Sequence, residues 1–375
     1  MAKRKSNALG WVVGIIFVII IIGAVWWFTP KEAGVIKIGA IMPLTGDAAT
    51  IGLNTRQAME LAMQEVNDAG GINGNNLEII FEDGKCGAKD STNAANKLIN
   101  IDGVPVIIGG LCSSETLAAA PIAESSKVVL FSPCSTSPAV TTAGDYVFRD
   151  SPSDSFQGIY TADVMYNALK KKSVAILYCL SDWCAGIKEV FKIKFTELNG
   201  TIVAEEGYEQ TTKDLRTQLT KIKQAKPDAL YFVGYTEASI IGLKQIKELG
   251  INVSVIGGDA WDDPKIWDEV KDAGEGVRYT LQYTALPESF KSKMKTKTGS
   301  EEITLCTPNA YDAVNIIANV LGKAGTDSIK IKDELYNVIN YQGMSGTITL
   351  DENGDLATAD FVTKIVHNNT PEIEE

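Results

Sequence analysis

Three short polar segments hold the residue types that could grip a small charged molecule. Gly109-Gly110-Leu111-Cys112-Ser113-Ser114 follows an apolar run and opens an amphipathic stretch. Backbone N–H groups at such a helix start, with hydroxyls beside them, stabilise an anion. A plain serine N-cap would account for the same residues without a ligand. Ser132-Pro133-Cys134-Ser135-Thr136-Ser137-Pro138 is a second cluster of small polar residues after an apolar run, and a turn explains it equally well. Gly257-Gly258-Asp259-Ala260-Trp261 sets an acid beside an aromatic, so Asp259 could oppose a cation or cap a helix.

The rest of the chain offers little reactive chemistry. Its one histidine, His367, falls near the C-terminus, no Cys-x-x-Cys pair occurs, and no nucleophile-elbow or phosphate-loop motif is present. The carboxylates scatter without a pairing pattern, so neither an enzyme nor a metal or cofactor site is expected. A formal net charge of -12 with no basic stripe argues against nucleic-acid binding. Six cysteines in an exported chain read first as disulfides. Cys179 and Cys184 bracket a loop short enough to staple, and Cys86 and Cys112 each follow an expected strand and could lie side by side.

The elements that must position these segments alternate. Apolar runs at Val35 to Met42, Leu77 to Phe81, Val104 to Ile108 and Val128 to Phe131 are separated by helical patterns. In the first of those, Ala58, Leu61, Ala62, Val66 and Ala69 recur at helical spacing behind Asn54 as a cap. The rhythm restarts at Val174 to Tyr178, Thr201 to Ala204, Leu230 to Val233 and Val253 to Ile256, with helices near Phe156, Ala185, Leu215, Glu237 and Pro264. This is the pattern of α/β units, each with a mostly parallel sheet flanked by helices, and the restart implies two sheets. Arg149 to Ser155 suits a crossover between them. Helices from Pro287, Asn309 and Lys330, then a hairpin of Thr347 to Leu350 with Phe361 to Val366, complete the chain. With 375 residues and 45% hydrophobic content, there is enough chain for two cores. Ligands of such sheets bind at the carboxyl ends of the strands, where all three polar segments fall.

Ahead of these elements, Lys3, Arg4 and Lys5 precede an uncharged apolar run from Leu9 to Phe28. Twenty helical residues span the roughly 30 Å hydrocarbon layer. The basic flank places the N-terminus inside and everything after Thr29 outside. The expectation is a single-pass anchor in residues 1–34 with a binding domain outside the cytoplasm, and a cleaved signal peptide is the alternative.

From Val35 to about Asn368 the chain resembles the leucine/isoleucine/valine-binding proteins of bacterial ABC importers. Ile38-Gly39-Ala40, Gly70-Gly71-Ile72-Asn73-Gly74, Leu111-Cys112-Ser113-Ser114 and Pro133-Cys134-Ser135-Thr136 carry the resemblance. It implies the two-lobe type I periplasmic-binding-protein fold, with lobe one at 35–153 plus 284–358 and lobe two at 154–283 plus 359–375. It also implies a monomeric, non-enzymatic solute-binding component that delivers an apolar amino acid to a membrane permease.

Carried over, the family pattern gives the ligand carboxylate to Ser113 and Thr136, with Cys112 and Ser135 in the same two segments. The backbone carbonyl of Cys134, the Thr136 hydroxyl and Asp259 fall to the ammonium. Leu111 and Tyr235 agree with the leucine-type side-chain pocket, Ile51 and Cys306 stand where that pattern has aromatics, and Trp183 replaces a tyrosine. The resemblance further implies a Cys86–Cys112 disulfide. For Cys134 and Cys306 it leaves two readings open: free pocket thiols, or a bridge that restricts opening. A sensor ectodomain and an amide, urea or peptide binder of the same fold remain the rival readings; Asp259 disfavours a neutral amide, which would leave the carboxylate without a cationic partner.

Overall fold

The computed structural model describes residues 33–300 and 303–374. Two sheets organise it. The first holds β1 (Val35–Met42), β2 (Asn76–Asp83), β3 (Val106–Gly109), β4 (Val129–Ser132) and β5 (Val147–Arg149) in the order β2-β1-β3-β4-β5. All its pairings are parallel. The second is built on β6 (Ser173–Cys179), β7 (Thr201–Tyr208), β8 (Ala229–Val233), β9 (Ser254–Gly257) and β10 (Arg278–Gln282), extended by β13 (Phe361–His367) and β14 (Thr370–Ile373). Its order is β14-β13-β10-β9-β8-β6-β7, parallel from β10 to β7 and antiparallel at β13 and β14. The result is a two-lobe α/β architecture with a mostly parallel sheet in each half.

Each sheet has its own core. Ile38, Val106, Ile108, Phe131 and Phe148 of the first pack with Ala310, Val314 and Ile317 from the helix Thr307–Ala324. Ile176, Tyr231 and Phe232 of the second pack with Phe191, Phe195 and Trp261. Continuous apolar strands such as Val-Leu-Phe-Ser at Val129–Ser132 are buried end to end, as parallel strands covered on both faces must be.

Three expectations are corrected. Phe361–His367 does not close a hairpin with Thr347 to Leu350. It pairs antiparallel with β10 in the second sheet, whereas Thr347–Ile348 (β12) pairs with Tyr341–Gln342 (β11). Local spacing cannot tell which of two sheets a strand will join. The first helix begins at Ala49, not behind Asn54, whose amide instead donates to Thr50 O one turn back within the helix. Finally, Arg149 closes the short strand β5 rather than opening the crossover.

Among the described residues no helix is long and apolar enough to cross a membrane. The apolar run Leu9 to Phe28 lies outside the described residues.

Candidate functional site

The loops that leave the carboxyl ends of both sheets meet around one cavity. From the first sheet come Pro43, Ala48 and Ile51 after β1, Leu111, Cys112 and Ser113 after β3, and Cys134 and Thr136 after β4. From the second come Trp183 after β6, Tyr235 after β8, and Asp259 and Ala260 after β9, with Leu305 completing the wall. The two sides touch directly, since Asp182 N donates to Ser114 Oγ at 3.1 Å.

The β3 segment is shaped by glycine and by a buried acid. Gly109 has φ +136, and a Cβ there would fall 2.1 Å from Ile41 O, so only glycine lets the strand end approach β1 this closely. Beyond it, the Glu115 carboxylate accepts N–H bonds from Leu111 (3.0 Å), Cys112 (3.1 Å) and Cys86 (2.9 Å). Burial pushes this carboxyl up to about 7, against the opposing pull of those backbone donors. The Cys86–Cys112 disulfide joins the same two backbone segments, with Cα atoms 5.2 Å apart.

Ser113 is the first residue of the helix Ser113–Ser126, one position past the N-cap, Cys112. Its hydroxyl accepts from Ser137 N at 3.1 Å, so it ties the first polar segment to the second. The simple capping role is therefore not the one it fills.

Behind the second segment lies Arg149, fully buried. Its guanidinium donates to Ser135 O (3.1 Å) and Ser137 O (2.9 Å) and forks onto Asp355. Ser135 does not face the cavity: its hydroxyl donates to Gly110 O at 3.0 Å and meets Thr116 Oγ1 at 2.6 Å, bracing the β3 segment from behind. Thr136 does face it, but its Oγ1 donates to Asp154 Oδ2 at 2.9 Å. With its hydrogen committed there, Thr136 presents lone pairs, which suit the ammonium better than the carboxylate, the two roles the family pattern gave it.

Cys134 and Cys306 are bonded, Cα to Cα 5.4 Å. Free pocket thiols are excluded. The bridge links the loop after β4 to the start of the helix Thr307–Ala324, whose apolar face belongs to the first core. Both ends thus ride on one sheet, and the bridge does not restrain one sheet against the other. Cys134 lines the cavity, while Cys306 lies behind it beside a neighbouring cavity that also includes Leu305.

On the opposite wall, Trp183 and Tyr235 pack ring on ring with centroids 4.8 Å apart and planes tilted 41°. The Cys179–Cys184 disulfide, Cα to Cα 5.5 Å, pins the start of the helix Asp182–Glu197, whose first turn carries Trp183. Asp259 is 6% exposed, and its Oδ1 accepts from Ala260 N at 3.0 Å. Burial lifts its carboxyl to about 7, with the Ala260 N–H pulling the other way.

Besides the wall residues Pro43, Ala48 and Leu305, sequence reasoning missed Asp154. It is completely buried, and its Oδ1 has no hydrogen-bond partner. Its pKa is raised well above the usual range, first by burial and then by the nearby Asp259 charge, while Thr136 and Arg149 oppose. Nothing local marks it, since an acid after Ser153 at a helix start reads as an ordinary first-turn residue. Among the described residues no cluster of His, Cys, Asp or Glu is arranged to hold a metal ion. The cavity therefore offers an apolar and aromatic wall, hydroxyls and one buried carboxylate, Asp259, with Asp154 behind it as the hydrogen-bond partner of Thr136.

The sequence profile described as periplasmic binding protein matches residues 35–369. A leucine-, isoleucine-, valine-, threonine- and alanine-binding protein of Pseudomonas aeruginosa is 30% identical over 351 residues, which are 91% of this chain and 92% of that protein. A solved leucine-binding protein from Thermotoga maritima superposes with a TM-score of 0.84 at 30% identity, over 91% of this chain and 98% of that one. A branched-chain amino acid transporter substrate-binding protein from Streptococcus pneumoniae, solved with isoleucine, superposes at 0.82 with 26% identity, covering 90% and 98%.

Proposed function

Because the chain belongs to the periplasmic binding protein family, we propose that it is the extracytoplasmic solute-binding component of an ABC importer, and that it captures an apolar, branched-chain-type amino acid and delivers it to a permease. Its role is binding, not catalysis. The observation that carries the reading is the pairing, in one cavity, of a buried acid, Asp259, with an apolar and aromatic wall formed by Ile51, Leu111, Trp183 and Tyr235.

The two lobes, 35–153 with 284–358 and 154–283 with 359–375, act as the closing halves. Ser113 and backbone N–H groups at the start of its helix take the ligand carboxylate. The carbonyl of Cys134, the Thr136 lone pairs and Asp259 take the ammonium, and Leu111, Tyr235, Trp183 and Ile51 enclose the side chain. Ligand stabilises the closed arrangement because only closure brings Asp259 of the second half to an ammonium held on the first. Charge-assisted bonds of roughly 1.5–3 kcal/mol each suffice to select the amino-acid backbone. The run Leu9 to Phe28 tethers the domain to the outer face of the membrane.

A thermal-shift screen of the chain from Gly34 onward tests this. Ligand at 100 times its dissociation constant adds about 2.7 kcal/mol of stability. Stabilisation by leucine, isoleucine, valine or phenylalanine is expected; a response only to amides, urea or sugars would sink the amino-acid assignment.

A further inference from the structure

Asp154 and Asp259 both belong to the second half of the molecule and lie near enough that the Asp259 charge helps to raise the Asp154 pKa. Asp154 begins the helix Asp154–Asp163 directly after the crossover, and Asp259 stands in the turn after β9. Thr136 connects them to the cavity: it lines the wall beside Asp259 and donates to Asp154 Oδ2 at 2.9 Å. Asp154 Oδ1 is buried without a hydrogen-bond partner, and Tyr231 on β8 lies within electrostatic reach of both carboxylates.

Two buried carboxylates within electrostatic reach of each other, with one oxygen unsatisfied, are costly if both are ionised and nothing positive lies between them. The other charges around them do not supply that cation. Arg149 attracts Asp154 from β5, but its guanidinium is already forked onto Asp355. The remaining titratable groups that face the pair are Tyr231, Tyr235 and Asp262, and none of these is a cation at neutral pH.

We infer that Asp154 is the second carboxylate of the ammonium subsite, acting with Asp259 as a pair that holds one proton when no cation is bound and gives it up when a cationic amine enters. This rests on the amino-acid reading above. The exchange balances: the singly protonated pair carries one negative charge, the entering ammonium one positive charge, and one proton leaves to solvent as both carboxylates ionise around the ammonium. The subsite consequently selects primary ammonium ligands and discriminates against apolar carboxylic acids without an amine, because only a cation releases the shared proton. Two coupled carboxylates titrate as a unit, so the proton belongs to the pair rather than to either residue.

The sign of the pH dependence follows. At low pH the proton competes with the ligand, and above the pair's titration the competition ends. Affinity for L-leucine should therefore rise by up to about tenfold per pH unit through the titration of the pair and level off above it.

Titration calorimetry of the full-length chain with L-leucine at pH 6.5, in buffers of different ionisation enthalpy, reads the proton directly. The expected slope corresponds to release of about one proton per ligand. Asp154→Asn should release less than half as much and bind about tenfold more weakly at pH 8. The amine-free analogue 4-methylpentanoate should release none. Leucine binding to the unaltered chain with no proton released between pH 5.5 and 7.5 would overturn the inference while leaving the amino-acid reading intact, and this measurement does not depend on the variant folding. An Asp154→Asn protein with unchanged proton release and unchanged affinity would overturn it as well. Failure of every apolar amino acid to bind at any pH overturns both readings together.

Discussion

Arg149 and Asp355, 206 residues apart in sequence, form a bidentate pair in the interior, with Nε 2.8 Å from Oδ1 and Nη2 2.6 Å from Oδ2. The same guanidinium holds the carbonyls of Ser135 and Ser137, so the pair is the platform under the second polar segment of the cavity. A buried ion pair is a poor source of net stability, but breaking it by removing one partner strands the other charge.

Asp355→Asn or Arg149→Met should therefore cost about 3–5 kcal/mol of unfolding free energy. Denaturant unfolding checks the loss. A change below about 1 kcal/mol would mean that the pair is solvated in solution.

At the ligand itself, Asp259→Asn should weaken amino-acid binding by roughly 2–5 kcal/mol, because the ammonium loses a buried counter-charge. Calorimetry with L-leucine measures it, and an unaltered dissociation constant would remove Asp259 from the site.

Glu115 links stability to pH. Its folded carboxyl is raised to about 7 from an ordinary 4.5, so the folded state holds a proton that the unfolded chain has already lost. The stabilising contribution is complete below pH 4.5 and is lost as pH rises through about 7, a decline on the order of 3 kcal/mol. Asp154 and Asp259 titrate upward for similar reasons, so the difference between the unaltered chain and Glu115→Gln isolates this one group. Chemical denaturation at pH 4.5 and pH 7.5 should show a smaller decline in the variant; equal declines would mean that Glu115 is ionised throughout.

Three bridges should appear in non-reducing peptide mapping: Cys86–Cys112, Cys134–Cys306 and Cys179–Cys184. Their separations are 26, 172 and 5 residues. Loop-closure entropy grows with length, so replacing Cys134 and Cys306 together by serine should cost the most, about 4 kcal/mol or more, and replacing the Cys179 and Cys184 pair the least. Thermal unfolding of the three double variants gives the order.

By itself the sequence determined the alternation of strands and helices, the two-sheet architecture, and the three polar segments that follow β3, β4 and β9. Each of these is a local property, set by the period of apolar residues and by what stands at the end of a strand. Leu111, Ser113, Thr136 and Asp259 follow from those segments together with the family resemblance, Ile51, Trp183 and Tyr235 from the resemblance alone, and all of them line the cavity. Tertiary structure alone decided the rest. Ser135 turned to brace Gly110, Cys134 found Cys306, and Phe361–His367 crossed to β10, because each of these choices depends on partners distant in sequence that local spacing does not encode. Asp154 shows the limit most clearly. In sequence it is an ordinary acid at a helix start, and only packing that seals it against Thr136 and near Asp259, away from water, turns an inexpensive surface charge into a group that must find a proton or a cation.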